Sequence, residues 1–116
     1  MLAPPEHHNK MQRICFVLQV KPDRLDEYRA RHRTVWPEMQ DALRSSGWRN
    51  YSLFLREDGM LVGYVESEDF DRSRRLMAET SINAVWQASM KDFFADSSGR
   101  AADEQMRPLD QVFFLP

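Results

Sequence analysis

The chain has 116 residues, of which 42% are apolar and 29% charged, and a formal net charge of −2. That length suits one domain able to bury roughly 65% of its unfolded surface. The balanced charge excludes a nucleic-acid footprint, and no apolar stretch approaches a membrane span, so a soluble cytoplasmic protein is expected.

Residues 1–12 have no periodicity and are expected to form a flexible tail, leaving 13–116 as a single domain. His7 and His8 lie in that tail without further ligands at metal-site spacing, so no metal is expected. Arg13–Val20 is the first predicted strand. Ile14, Phe16, Leu18 and Val20 point one way and Cys15, Val17 and Gln19 the other. Cys15, the only cysteine, therefore reads as an inert thiol in an apolar run.

Pro22 and Asp23 open a helix from about Asp23 to Arg33. A second helical segment follows from about Val35 to Ser46, with Thr34 as the expected N-cap and a bend at Pro37. Gly47 ends it as the residue after the C-cap. Arg49–Arg56 is the second strand, with Tyr51, Leu53 and Leu55 on one face. Glu57-Asp58-Gly59 is a hairpin turn leading into Met60–Glu66. Helices are predicted over Phe70–Ala78 and Ile82–Phe94, separated near Thr80 and Ser81. Arg72, Arg74 and Arg75 form a solvated helix face. A long polar loop over 95–110 and a short final strand, Gln111–Leu115, complete the chain.

The order β-α-β-β-α-β predicts an α+β domain of the ferredoxin-like type, with helices on one face of an antiparallel sheet. The opposite face carries Cys15, Val17 and Phe54. An apolar face of that size marks an interface, so a homodimer is expected, with the loop over 95–110 folding across that face as the competing reading.

Chemistry concentrates at Tyr28, His32 and Trp36. Four-residue steps place them along one helical face, within an apolar stripe that also holds Leu25, Met39 and Leu43. An imidazole both gives and takes a proton near neutral pH, which suits general acid–base work on a sugar. Packing alone is the competing reading. Tyr51 can meet Tyr28 and His32 if the helix covers its face of the sheet. Trp86 and Gln87 lie on the last helix; an indole stacks on a pyranose and an amide bonds its hydroxyls. Trp36 and Trp48 read mainly as structural, and Met39, Met77 and Met90 as core filling. The chain has four glycines and no phosphate-binding loop, zinc motif or nucleophile elbow, so no cofactor is expected.

The segments Phe16-Val17-Leu18-Gln19-Val20-Lys21-Pro22, Tyr28-x-x-x-His32-x-x-Val35-Trp36-Pro37-Glu38-Met39, Asn50-Tyr51-Ser52-Leu53-Phe54-Leu55, Trp86 with Met90, and Val112-Phe113-Phe114-Leu115-Pro116 resemble the L-rhamnose mutarotase family over residues 13–116. The resemblance implies a cytoplasmic, dimeric α/β barrel-type isomerase. It interconverts the α and β anomers of L-rhamnose without a cofactor. It puts the proton donor on His32, sugar-contacting tyrosines on Tyr28 and Tyr51, and a tryptophan pair on Trp86 and Gln87, where this chain replaces the second indole with an amide. His32 would protonate the ring oxygen, with the complementary base unassigned. Two other functions suit the same fold class: a cofactor-free monooxygenase with an apolar pocket, and a non-catalytic binding barrel.

Overall fold

The computed structural model describes residues 11–95 and 105–116. Strand β1 spans Gln12–Gln19, one residue ahead of the expected start. A 3-10 turn at Pro22–Arg24 leads into helix α1, Leu25–Arg33. Helix α2 spans Pro37–Ser45, β2 spans Arg49–Leu55 and β3 spans Met60–Ser67. Helices α3, Phe70–Ala78, and α4, Ser81–Met90, follow, and a 3-10 turn at Lys91–Phe93 closes the helical part. The domain is α+β, with a three-stranded antiparallel sheet in the order β1-β3-β2.

Two boundaries differ from expectation for local reasons. Thr34 ends α1 as its C-cap and does not open α2. Trp36 takes the N-cap position with extended backbone (φ −56°, ψ 135°). The ring of Pro37 crowds the residue before it out of the helical region, and its own fixed φ starts the next helix. The last long helix begins one residue earlier than expected and stops at Met90, not Phe94. Thr80 caps it, accepting from the Asn83 backbone N–H at 3.2 Å.

The hairpin forms at Asp58 and Gly59. Gly59 has φ +93°, and a Cβ there would collide with the Val20 carbonyl. Across the sheet, Phe16 pairs with Gly63. A Cβ at Gly63 would collide with the Phe16 ring, so this glycine lets the ring lie across β3 toward Tyr51, 6.5 Å away between centroids. Phe16, Leu18, Leu61 and Val65 face the helices and pack with Met39, Trp48, Met77, Trp86 and Met90. Burying such side chains stabilises the domain by roughly 1.5–3 kcal/mol each. The Trp48 indole N–H donates to the Ser73 carbonyl, so this buried polar atom is satisfied.

The expected final strand Gln111–Leu115 does not form a ladder. The free edge of β1 is instead met at two points, by Phe94 opposite Val20 and by Pro108 opposite Phe16. Carrying that second register forward one residue at a time sets Val112 opposite Gln12, the first residue of β1. The tail thus outruns its neighbour, and a strand without a partner ladder is not held. Arg13 tethers it, with its guanidinium 3.3 Å from the Phe114 ring centroid and its Nε–H donating to Gln111. Val112, Phe113 and Leu115 remain exposed. The tail residues 1–10, with His7 and His8, and most of loop 95–110 lie outside the described residues. Among the described residues, no helix is long and apolar enough to cross a membrane.

Candidate active site

A cleft of about 850 Å³ opens between α2, α4 and the helix-covered face of β2. That is within the range of roughly 300–1,000 Å³ typical of small-molecule sites. His32, Tyr51, Trp86 and Gln87 all line it, with Met39, Leu43, Leu53 and Met77 supplying apolar surface. Four of the five residues expected from the sequence therefore share one cleft.

The fifth, Tyr28, stands behind His32 and is not among the lining residues. One helical turn earlier on α1, its ring stacks on the imidazole at 4.3 Å between centroids. Phe93 and Phe94 pack edge-on with the Tyr28 ring, at 6.0 and 5.9 Å between centroids. Burial, together with the nearby Tyr51 phenol, pushes its hydroxyl far above the usual phenol range. Tyr28 is thus a neutral hydroxyl at every physiological pH.

His32 is oriented from three directions. Its Nδ1 lies 3.0 Å from the Tyr28 carbonyl oxygen. A carbonyl oxygen only accepts, so Nδ1 carries the proton and Nε2 is the nitrogen left to exchange one. Tyr28 covers one face of the ring, and Trp86 meets it edge-on at 5.6 Å. Trp36 in turn packs edge-on against Trp86 at 5.0 Å, which gives this half-buried indole the structural role expected of it. Burial lowers the His32 pKa below its usual value, while the bond to the Tyr28 carbonyl opposes that shift. The neutral imidazole, with Nε2 as an acceptor, is therefore the resting form at neutral pH.

Arg33, Gln40, Arg44, Arg49 and Asn50 add polar groups to the cleft. Asn83 lines it as well, although the sequence reading passed over it. The signal was present: Asn83 lies three residues before Trp86 and four before Gln87, on the same face of α4. Met106 reaches the cleft from the segment after the long loop, a contact no local pattern announces. Among the described residues, no group of histidine, cysteine, aspartate or glutamate side chains is arranged to hold a metal ion.

An oriented imidazole beside indole and phenol rings, in a cleft with amide groups, is the equipment of a carbohydrate site that moves protons. The comparisons with known proteins agree. A sequence model described as L-rhamnose mutarotase matches residues 13–115. The L-rhamnose mutarotase of Oceanobacillus iheyensis is 44% identical over 89 residues, covering 76% of this chain and 85% of the relative. That of Bacillus subtilis is 38% identical over 109 residues, covering 90% and 99%. The crystal structure of an L-rhamnose mutarotase from Formosa agariphila superimposes with a TM-score of 0.72 at 23% identity, covering 90% of this chain and 99% of the other, a likeness of fold. The chain belongs to the L-rhamnose mutarotase family.

Proposed function

We propose that the protein is an isomerase that interconverts the α and β anomers of L-rhamnose, with His32 as its acid–base residue. The observation that carries the reading is the position of His32 at the cleft wall, with Nδ1 tied to the Tyr28 carbonyl and Nε2 left to exchange a proton.

The resting imidazole is neutral, so it begins as a base. Nε2 takes the proton from the anomeric hydroxyl and, now as imidazolium, gives it to the ring oxygen. The C1–O5 bond breaks, O1 becomes the aldehyde oxygen and O5 the hydroxyl. The C1–C2 bond rotates and the same steps in reverse close the ring on the other face. One nitrogen serves both oxygens, because both are bonded to C1. This fills the place of the complementary base, and His32 remains the donor to the ring oxygen. Tyr51 offers a hydroxyl to the sugar, Tyr28 holds the imidazole from behind, Trp86 packs on the sugar's apolar surface and Gln87 hydrogen-bonds it. No electrons change hands, so the step itself needs no redox cofactor. An oxygenase acting in an apolar pocket has no use for this concentration of hydrogen-bonding side chains.

The assembly follows from the surfaces left open. On the sheet face away from the helices, Val17, Val62 and Phe54 form one cross-strand row, and Phe54 is 63% exposed. With the exposed Val112, Phe113 and Leu115, this is more apolar surface than a monomer usually leaves in water. We read it as the interface of a cytoplasmic homodimer, sheet against sheet. Completing the free edge of β1 as a fourth strand gives the ferredoxin-like order in a dimeric barrel. Residues 13–116 act as the single domain, with 1–12 as an appendage.

Polarimetry tests the activity. Freshly dissolved α-L-rhamnose should reach its equilibrium rotation faster with catalytic amounts of the protein. A rate equal to that of buffer contradicts the proposal.

A further inference from the structure

One wall of the cleft has a polar construction that the proton transfer does not use. Thr80 caps α4 by accepting from the Asn83 backbone N–H, which fixes the first turn of the helix. That turn presents Asn83, buried to 4% exposure, one turn ahead of Gln87. The Gln87 Nε2 donates to the Asn83 Oδ1 at 3.2 Å, and both side chains line the cleft. Thus the Gln87 carboxamide does not rotate freely. One of its N–H groups is committed to Asn83, and its carbonyl oxygen, at the other end of the same planar group, is an acceptor held in place.

Trp86, the residue before Gln87, offers an apolar indole edge-on to His32. The same wall therefore carries an apolar surface and, beside it, an oriented acceptor. A methyl substituent gains nothing from an acceptor, whereas a hydroxyl gains a hydrogen bond. The substituent that can use this corner is the one at C5: C5 is bonded to the ring oxygen that His32 serves, and a sugar seated with C5 on the Trp86 side of the imidazole, 5.6 Å between the two rings, brings its exocyclic group to Trp86 and Gln87.

Resting on the mutarotase reading above, we infer that the Asn83–Gln87 pair is a specificity element. It adapts the site to aldohexoses bearing a hydroxymethyl group at C5, of which L-mannose, the 6-hydroxy counterpart of L-rhamnose, is the direct case. Gln87 accepts from the exocyclic hydroxyl. Asn83 is a positioning residue that acts through Gln87.

Anomeric exchange is measured by NMR magnetisation transfer for L-rhamnose, L-mannose and L-lyxose, which carry methyl, hydroxymethyl and hydrogen at C5. The proteins are wild type, Gln87→Leu, Asn83→Ala and Asn83→Asp. The ratio of L-mannose to L-rhamnose rates should fall about three- to tenfold in Gln87→Leu and Asn83→Ala, the span one neutral hydrogen bond provides. Asn83→Asp keeps an acceptor for Nε2 and should restore the ratio. If the three sugars lose rate in equal proportion, or the ratio stays fixed, Gln87 does not read the C5 substituent and the inference fails while the mutarotase reading stands. If wild type accelerates none of the sugars, both fail. Should Asn83→Ala not fold, the Gln87→Leu ratio decides alone.

Discussion

The His32 Nδ1 lies 3.0 Å from the carbonyl oxygen of Tyr28, whose own ring stacks on the imidazole at 4.3 Å. One residue thus sets both the tautomer and the tilt of the other. The four-residue step between them produces this, because the i−4 carbonyl and the i−4 side chain of a helix lie on the same face.

The pH profile follows from the neutral resting form. Burial holds the His32 pKa below 6.5, and protonation of Nε2 removes the base. The value of kcat/KM should therefore rise with pH through an apparent pKa below 6.5 and stay level above it. A profile that falls as pH rises through that range would assign His32 as the acid in the free enzyme. The sign for stability is the same. Between the folded and unfolded pKa values the unfolded chain binds more protons, so the thermal midpoint should drop as pH falls below 6.5, and drop less in His32→Gln.

The two phenols should be separable by truncation. Tyr51→Phe removes a hydroxyl that lines the cleft and should lower the rate about three- to tenfold, the worth of one neutral hydrogen bond, whereas Tyr28→Phe keeps the ring behind His32 and should leave the rate nearly unchanged. Tyr28→Leu also removes the stack on His32 and should cost more in rate than Tyr28→Phe. Equal rates for the Phe and Leu variants would show that the stack has no part in orienting the imidazole.

Gly63→Ala tests the packing that brings Phe16 across β3. Its Cβ would run into the Phe16 ring, an overpacking expected to cost about 1–3 kcal/mol. Urea denaturation should show the lower midpoint, and an unchanged midpoint would mean that the ring moves aside without loss.

Much of this was legible in the chain. Alternation gave β1 and β2, Asp58-Gly59 gave the hairpin that leads into β3, and the span of α3 came out as expected. Each depends on signals within a few residues. The N-cap of α2 was misplaced because Thr34 is a good capping side chain, yet Pro37 dictates the conformation of Trp36 and thereby outranks it. The Gln111–Leu115 strand was read from local β-propensity, but a strand needs a neighbour and β1 begins only at Gln12, which an antiparallel partner passes at Val112. At the site, helical spacing grouped Tyr28 with His32 correctly. It did not show that Tyr28 stands behind the imidazole, since its depth is set by packing with Phe93 and Phe94, which are distant in sequence. Asn83 was passed over although its spacing put it on the face of Trp86 and Gln87, because local sequence does not show that a lone asparagine is buried.

The exposed tail makes a prediction about assembly. Deleting residues 112–116 removes Val112, Phe113 and Leu115 from the proposed interface. Sedimentation velocity at micromolar concentration should show a dimer for the full chain and a shift toward monomer for the shortened one. A full chain that sediments as a monomer would contradict the sheet-to-sheet dimer.

The most direct measurement is magnetisation transfer between the α and β anomeric protons of L-rhamnose at neutral pH, with wild type and His32→Ala compared at equal concentration. Wild type should speed the exchange, and His32→Ala should lose about 10²–10⁴-fold of that acceleration while keeping the wild-type far-ultraviolet circular dichroism. Acceleration that persists undiminished in the folded His32→Ala protein would contradict the account.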